Sequence, residues 1–240
     1  MKLEICANSY QSAKNAQEAG AHRIELCSEL AIGGITPNYG LLKKVAENLS
    51  IETFILIRPR SGNFTYSIEE FEIMKTNIEL CKNLGFSGIV SGVLNADNTI
   101  DLKRIKALIE LSKPMQFTFH RAFDWTPNPE EALQKLITLG ATRILTSGQH
   151  TSAEKGIETL KRLKDKAENK IIILPGGGIS IENAIQFKNE SFKEIHASLT
   201  QLEKVNETPT ISMNSNKHFS ETHLAVSDSK KIKELLKNIE

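Results

Sequence analysis

Short apolar runs rich in Ile, Leu and Phe recur about every 25 to 30 residues along the chain. They are "LEICA" (3–7), "RIELC" (23–27), "TFILI" (53–57), "GIVSG" (88–92), "QFTFH" (116–120), "RILTS" (143–147), "IIILP" (171–175) and "EIHAS" (194–198). Each is followed by turn residues and then by a stretch with helical spacing, so the pattern predicts eight strand-then-helix units. Gly20, Gly85 and Gly140 close helices in the C-cap region, where a left-handed residue satisfies the last carbonyls. Thr36 before Pro37 and Asn128 before Pro129 read as helix starts, and "SDSKKIKELLKNIE" supplies a C-terminal helix over 228–240. Eight such units in an α/β chain predict a single-domain (β/α)8 TIM barrel over residues 1–240. A doubly wound open sheet is the alternative, but the composition does not break at the middle of the chain. Residues 200–227 depart from the pattern: they are polar and aperiodic, and read as a long loop after strand eight.

In a closed barrel alternate strand residues point inward, and the chemistry gathers at the C-terminal strand ends. Ile5, Ile24 and Leu26 suit the outward face, which turns Glu4, Cys6, Glu25 and Cys27 inward. On the eighth strand Glu194, His196 and Ser198 fall inside, with Ile195 and Ala197 outside; on the fifth, Thr118 and His120 share the inner face. Charged groups in a barrel are costly unless paired. "RPRSG" supplies Arg58 and Arg60, and Arg121 adds a third arginine, as partners for Glu4 and Glu25. One reading is a set of structural ion pairs. The other is a pocket for a small anion, a carboxylate or a phosphate, held by Arg58, Arg60 and Arg121. In that pocket His120 exchanges the proton, Glu25 is a second acid-base group or orients an arginine, and Asp124 holds a loop amide or an arginine. "LPGGGIS" (174–180) follows strand seven where barrels bind phosphate, which adds Gly177 and Gly178 to the binding residues, although tight turns use glycines too.

The chain has 240 residues, of which 40% are hydrophobic and 25% charged, enough to bury a sizeable core. Lys plus Arg total 30 against 29 for Asp plus Glu, a formal net charge of +1 that gives no footing for nucleic acid or an anionic membrane. The N-terminal apolar stretch is too short for a signal-peptide core and no run reaches membrane-spanning length, so a cytoplasmic protein is expected. Three cysteines argue against a disulfide framework and leave free thiols or a thiolate metal site. Cys81 falls with Phe71, Met74 and Ile78 on the buried stripe of a helix. His22, His150, His218 and His223 lie in turns or in the polar tail and read as solvated, and Trp125 as a packed anchor of the loop above strand five.

Four stretches carry a resemblance to a known family: "RIELCSELAIGGITPNYG" (23–40), "IRPRSGNFTYS" (57–67), "FTFHRAFD" (117–124) and "RILTSGQHTSA" (143–153). Together they resemble the CutC family, the copper homeostasis proteins, from strand one to about residue 200; residues 200–227 resemble it only loosely. The resemblance implies a cytoplasmic TIM barrel that forms homodimers or homotetramers and is linked by name to copper. It also implies a site at Glu25, Arg58, His120, Arg121 and Asp124. Copper(I) prefers soft thiolates, and Cys6 and Cys27 end adjacent strands with the same inward parity. Strands run about 4.8 Å apart, close enough for two thiolates to share an ion if the stagger allows. Buried cysteine as a small apolar filler is the competing reading, since no CxxC, Met cluster or close His pair accompanies them. Three functions stay open: copper(I) binding or handling, acid-base enzymology on a small anionic metabolite, and a regulatory barrel without chemistry of its own.

Overall fold

The eight apolar runs form the parallel strands β1 (Lys2–Ala7), β2 (Arg23–Leu26), β3 (Glu52–Leu56), β4 (Gly88–Ser91), β5 (Gln116–Phe119), β6 (Arg143–Thr146), β7 (Ile172–Pro175) and β8 (Glu194–Ala197). The computed structural model describes residues 1–204, 211 and 221–239. The sheet runs β7-β6-β5-β4-β3-β2-β1-β8, and a parallel bridge between Gly176 and His196 brings its two ends together, so the expected TIM barrel is the observed fold. Helices α1 (Tyr10–Ala19), α2 (Tyr39–Asn48), α3 (Ile68–Asn83), α4 (Leu102–Ser112), α5 (Pro129–Leu139), α6 (Ile157–Ala167), α7 (Ala184–Asn189) and α8 (Ser229–Ile239) follow the strands in turn. No helix among the described residues is long and apolar enough to cross a membrane.

Strands covered on both faces read as continuous apolar runs, and their two faces bury different things. The outer face, with Leu3, Ile5, Ile24, Leu26 and Ile195, packs on the helices in the main core. The inner face holds a small cluster of Cys6, Cys27, Phe54, Leu56 and Val90. Cys81 is buried in the outer core beside Met74 and Ile78, as the helical stripe requires, with Phe71 half-buried.

Deeper inside lies an ion network. Arg23 on β2 donates through Nε to Glu4 on β1 and through Nη2 to Glu194 on β8 at 2.5 Å. Arg143 on β6 donates through Nε to the same Glu194 at 2.8 Å and through Nη1 to Gln116 of β5 at 2.6 Å. Both guanidinium groups stack on the Phe54 ring, 4.7 and 5.0 Å from its centroid. The arginine that pairs with Glu4 is therefore Arg23, and not Arg58, Arg60 or Arg121. Arg23 shares the inward parity of Glu25 two residues on, inside a run that reads as apolar.

Three local expectations change. Helix α2 starts at Tyr39, capped by Asn38 Oδ1 accepting from Leu41 N–H, not at Thr36. Thr36 instead braces Arg58: its Oγ1 accepts from the Arg58 N–H at 2.8 Å, and its N–H donates to the Arg58 carbonyl at 2.9 Å. Gly85 lies one residue past the α3 C-cap, Leu84, with φ 78°, whereas Gly20 and Gly140 are the C-caps of α1 and α5. The segment 200–227 is not aperiodic throughout: β9 (Thr200–Lys204) and β10 (His223–Ser227) pair antiparallel, with His223 half-buried rather than solvated. Asn8, Asn15 and Ser12 bond to the backbone of Ala225 and Ser227 and tie this hairpin to α1. The remainder of that call, His218 included, lies outside the described residues.

Candidate functional site

At the C-terminal mouth of the barrel a cavity of about 290 Å³ is lined by Cys6, Glu25, Arg58, His120, Arg121, Gly177, Gly178, His196 and Ser198 among apolar Leu30, Leu56, Phe64 and Leu145. A cavity of about 350 Å³ opens at the other end of β7, but its lysines are committed, Lys164 to the Glu190 carbonyl and Lys193 to Asn169 Oδ1. Among the residues lining the mouth cavity, Glu25, Arg58 and His120 each hold one buried polar atom without a hydrogen-bond partner, as do Arg23, Tyr66, Thr118 and Ser227 elsewhere among the described residues.

The strand pattern delivers Glu25 and His196 from neighbouring parts of the rim, because β1 lies between β2 and β8 with Cys6 opposite Glu25 and Glu4 opposite His196. His196 Nδ1 lies 2.7 Å from Glu4 Oε1 and 3.9 Å from Glu25 Oε2. Burial disfavours charge on all three. Against that burial, Arg23 and His196 hold the Glu4 carboxyl at about 2. His196 is pushed well above the ordinary imidazole range, against burial, by hydrogen bonds to Cys6 and Glu4 and by both carboxylates. Glu25, which has no arginine partner, is raised to about 7 by burial, with His196 pulling it down and the Glu4 charge adding to the rise. Glu4 and His196 therefore form a charged pair, and Glu25 is the carboxyl that changes protonation near neutrality.

His120 stands differently. Its Nδ1 accepts from the Ala122 N–H at 3.2 Å, capping the 3-10 turn Arg121–Trp125. Burial first, and the nearby Arg58 charge second, hold its pKa down at about 3. His120 is thus a neutral ring with a fixed tautomer, which does not suit the proton-exchanging role expected of it. Arg58 is also fixed: Nη1 donates to the carbonyls of Ile32 and Gly34 at 2.9 and 2.8 Å, and Nη2 to that of Gly62 at 2.8 Å.

Arg121 lies on the rim, 45% exposed, donating to Asp124 Oδ2 at 2.8 Å and Ser147 Oγ at 2.9 Å. A Cβ on Gly177 would meet its Cζ at 3.2 Å, so the left-handed glycine leaves room for the guanidinium. Asp124 is outside the cavity lining and saturated: Thr146 Oγ1, Ser147 N–H and Oγ, Gln149 N–H and Arg121 all donate to it. It holds loop amides and an arginine, with no lone pair left over for catalysis. Arg60 is also outside, its Nε on Glu70 at 2.5 Å and its Nη2 on the Thr65 carbonyl. Trp125 is half-exposed and meets Phe64 edge-on at 4.9 Å.

Cys6 and Cys27 are free and face each other, Sγ to Sγ 3.6 Å. Cys6 opens onto the cavity and Cys27 is fully buried behind it. The contact with Cys27, then burial, raises the Cys6 thiol well above its ordinary value. A tetrahedral ion about 2.3 Å from each of two thiolates sets their sulfurs about 3.8 Å apart. The pair lies close to that spacing, and thiolates are the soft donors that copper(I) prefers. The expected site residues brought together are thus Cys6, Cys27, Glu25, Arg58, His120, Arg121, Gly177 and Gly178, while Asp124 and Arg60 stand apart. His196 and Glu4 are the additions; strand parity already turned both inward.

A family model described as CutC family matches residues 1–201. The human copper homeostasis protein cutC homolog is 40% identical over 97% of this chain and 87% of its own length. A family protein CutC from Photorhabdus laumondii is 45% identical over 84% of this chain and 81% of its own. The crystal structure of CutC from Streptococcus agalactiae superposes with a TM-score of 0.78 at 34% identity, covering 82% of this chain and 97% of that one.

Proposed function

The chain belongs to the CutC family, and from that premise we propose that its barrel mouth binds a small anionic metabolite, a carboxylate or a phosphate, and acts on it by proton transfer. The carrying observation is the set of ionisable side chains, Glu25, Arg58, His120, Arg121 and His196, that line one cavity at the C-terminal strand ends. Arg121, exposed on the rim beside the Gly177 backbone, meets the anion. Glu25, in reach of the His196–Glu4 pair, takes or returns the proton, since a carboxyl poised near neutrality can do both. A thermal-shift screen of small carboxylates and phosphates tests this. Ligands that raise the melting temperature of the wild type and lose that effect in Arg121→Ala are expected; a screen in which no anion stabilises the wild type sinks the reading.

A second reading, copper(I) binding, is favoured by the 3.6 Å separation of Cys6 and Cys27, and the relatives' names agree with it. The two thiols would lose their protons on binding, so affinity rises with pH. Titration with copper(I) under reducing conditions is expected to give one ion per chain in the wild type and none in the Cys6→Ser/Cys27→Ser double variant. Unchanged stoichiometry in the double variant would remove this site.

A further inference from the structure

Three metal-ligating side chains meet where β8, β1 and β2 lie side by side. Glu4 of β1 sits opposite His196 of β8 and opposite Arg23 of β2, and Glu25 follows two residues after Arg23 with the same inward parity. One oxygen or nitrogen from each of Glu4, Glu25 and His196 can be chosen so that all three lie within 4.8 Å of one another. From His196 Nδ1 the distances are 2.7 Å to Glu4 Oε1 and 3.9 Å to Glu25 Oε2. Bonds of about 2.1 Å to a tetrahedral ion set its ligands roughly 3.4 Å apart, between those two values, so shifts of less than about 1 Å would seat an ion. Glu25 is 5% exposed and brings Oε2 to this junction with no hydrogen-bond partner, whereas buried polar atoms are normally bonded. Charge points the same way. Glu4 and Glu194 bond to Arg23 and Arg143, two carboxylates against two guanidinium groups, and Glu25 is left over without an arginine bonded to it.

We infer that Glu4, Glu25 and His196 form a site for one divalent first-row ion such as zinc(II), open on one side to the mouth cavity that Glu25 and His196 line. His196 Nδ1, Glu4 Oε1 and Glu25 Oε2 are the ligand atoms. The ion takes the place of the proton shared by Nδ1 and Oε1, and Glu4 Oε2 keeps its bond from Arg23. The imidazole sets the site apart from those of magnesium and calcium, which take oxygen ligands, and the lack of sulfur sets it apart from the copper(I) pair Cys6 and Cys27. Three protein ligands with a further position open is the arrangement of catalytic zinc. The inference goes beyond the anion reading and excludes its proton step in the loaded form, because a Glu25 that holds an ion does not carry a proton. The anion screen is run in chelator and the metal titration without anion, so either reading can fail alone.

The test titrates cobalt(II), which reports its own binding by visible absorption, into the untagged full chain, followed by competition with zinc(II) and with magnesium. Expected for the wild type is one cobalt(II) per chain, displaced by zinc(II) and not by millimolar magnesium. The Cys6→Ser/Cys27→Ser double variant keeps that stoichiometry, which separates this site from a thiolate one. Glu25→Gln, of the same shape but without the charge, binds cobalt(II) more weakly by about tenfold or more. X-ray absorption of the zinc-loaded wild type depends on no variant folding, and is expected to show nitrogen and oxygen ligands, histidine scattering and no sulfur. Absence of cobalt(II) binding to the wild type, equal affinity in Glu25→Gln, or sulfur in the zinc shell overturns the site.

Discussion

His120 shows how far one side chain's behaviour is set by its surroundings. Neutral in the fold with a pKa of about 3, it has the ordinary imidazole value near 6.5 once unfolded. Between those values the unfolded chain binds a proton that the folded chain refuses. The stability it supports is therefore present above pH 6.5 and lost as pH falls toward 3, by about 1.4 kcal/mol per pH unit. Glu25, raised rather than lowered, tilts the opposite way between its ordinary value and about 7, so the two effects oppose in the wild type. Comparing urea unfolding of the wild type and His120→Gln across pH 4 to 7 isolates the first: the variant is expected to lose less stability toward acid. Equal slopes would mean that His120 ionises in the fold. The period-two alternation was enough to place His120, Glu25 and His196 on the inner face. It could not reveal which of the three is charged near neutrality, because that depends on the position of Arg58, just past the end of β3, and on the pairing of His196 with Glu4, 192 residues away.

At the level of elements, the turn after β5 and the loop after β6 are stapled by Asp124. Its carboxylate, nearly buried, accepts from donors 22 to 25 residues distant, Thr146, Ser147 and Gln149. Asp124→Ala leaves those buried amides and hydroxyls unpaired, and a loss of about 2 to 4 kcal/mol is expected in chemical unfolding. Asp124→Asn should retain part of it. A loss in ligand binding without any loss of stability would instead give Asp124 a direct role. The strands themselves were legible almost to the residue, since parallel strands covered on both faces need continuous apolar runs. The β9–β10 hairpin was not: every β9 residue after Thr200 is exposed, so no apolar signal marks it. Thr36 is no helix cap for a related reason: its partner Arg58 belongs to the next strand's end and not to its own helix.

For the molecule as a whole, the ion network in the barrel interior joins strands far apart in sequence. Glu194 on the last barrel strand accepts from both Arg23 and Arg143, all three buried. Removing one member of such a network strands the others: Glu194→Ala is expected to cost about 3 to 5 kcal/mol in denaturant unfolding, and Glu194→Gln less. A change below 1 kcal/mol would mean that water reaches the arginines. The same network bears on the order in which the chain can be built. As the protein leaves the ribosome, seven strands emerge before Glu194 does, and until then Arg23 lacks one of its two carboxylates and Arg143 lacks its only one. A nascent chain halted before residue 194 would leave Arg143 inside the barrel with Gln116 but no carboxylate, so it is expected to stay open and sensitive to protease. Closure is then expected only once the eighth strand has emerged, and limited proteolysis of chains halted before and after residue 194 checks it.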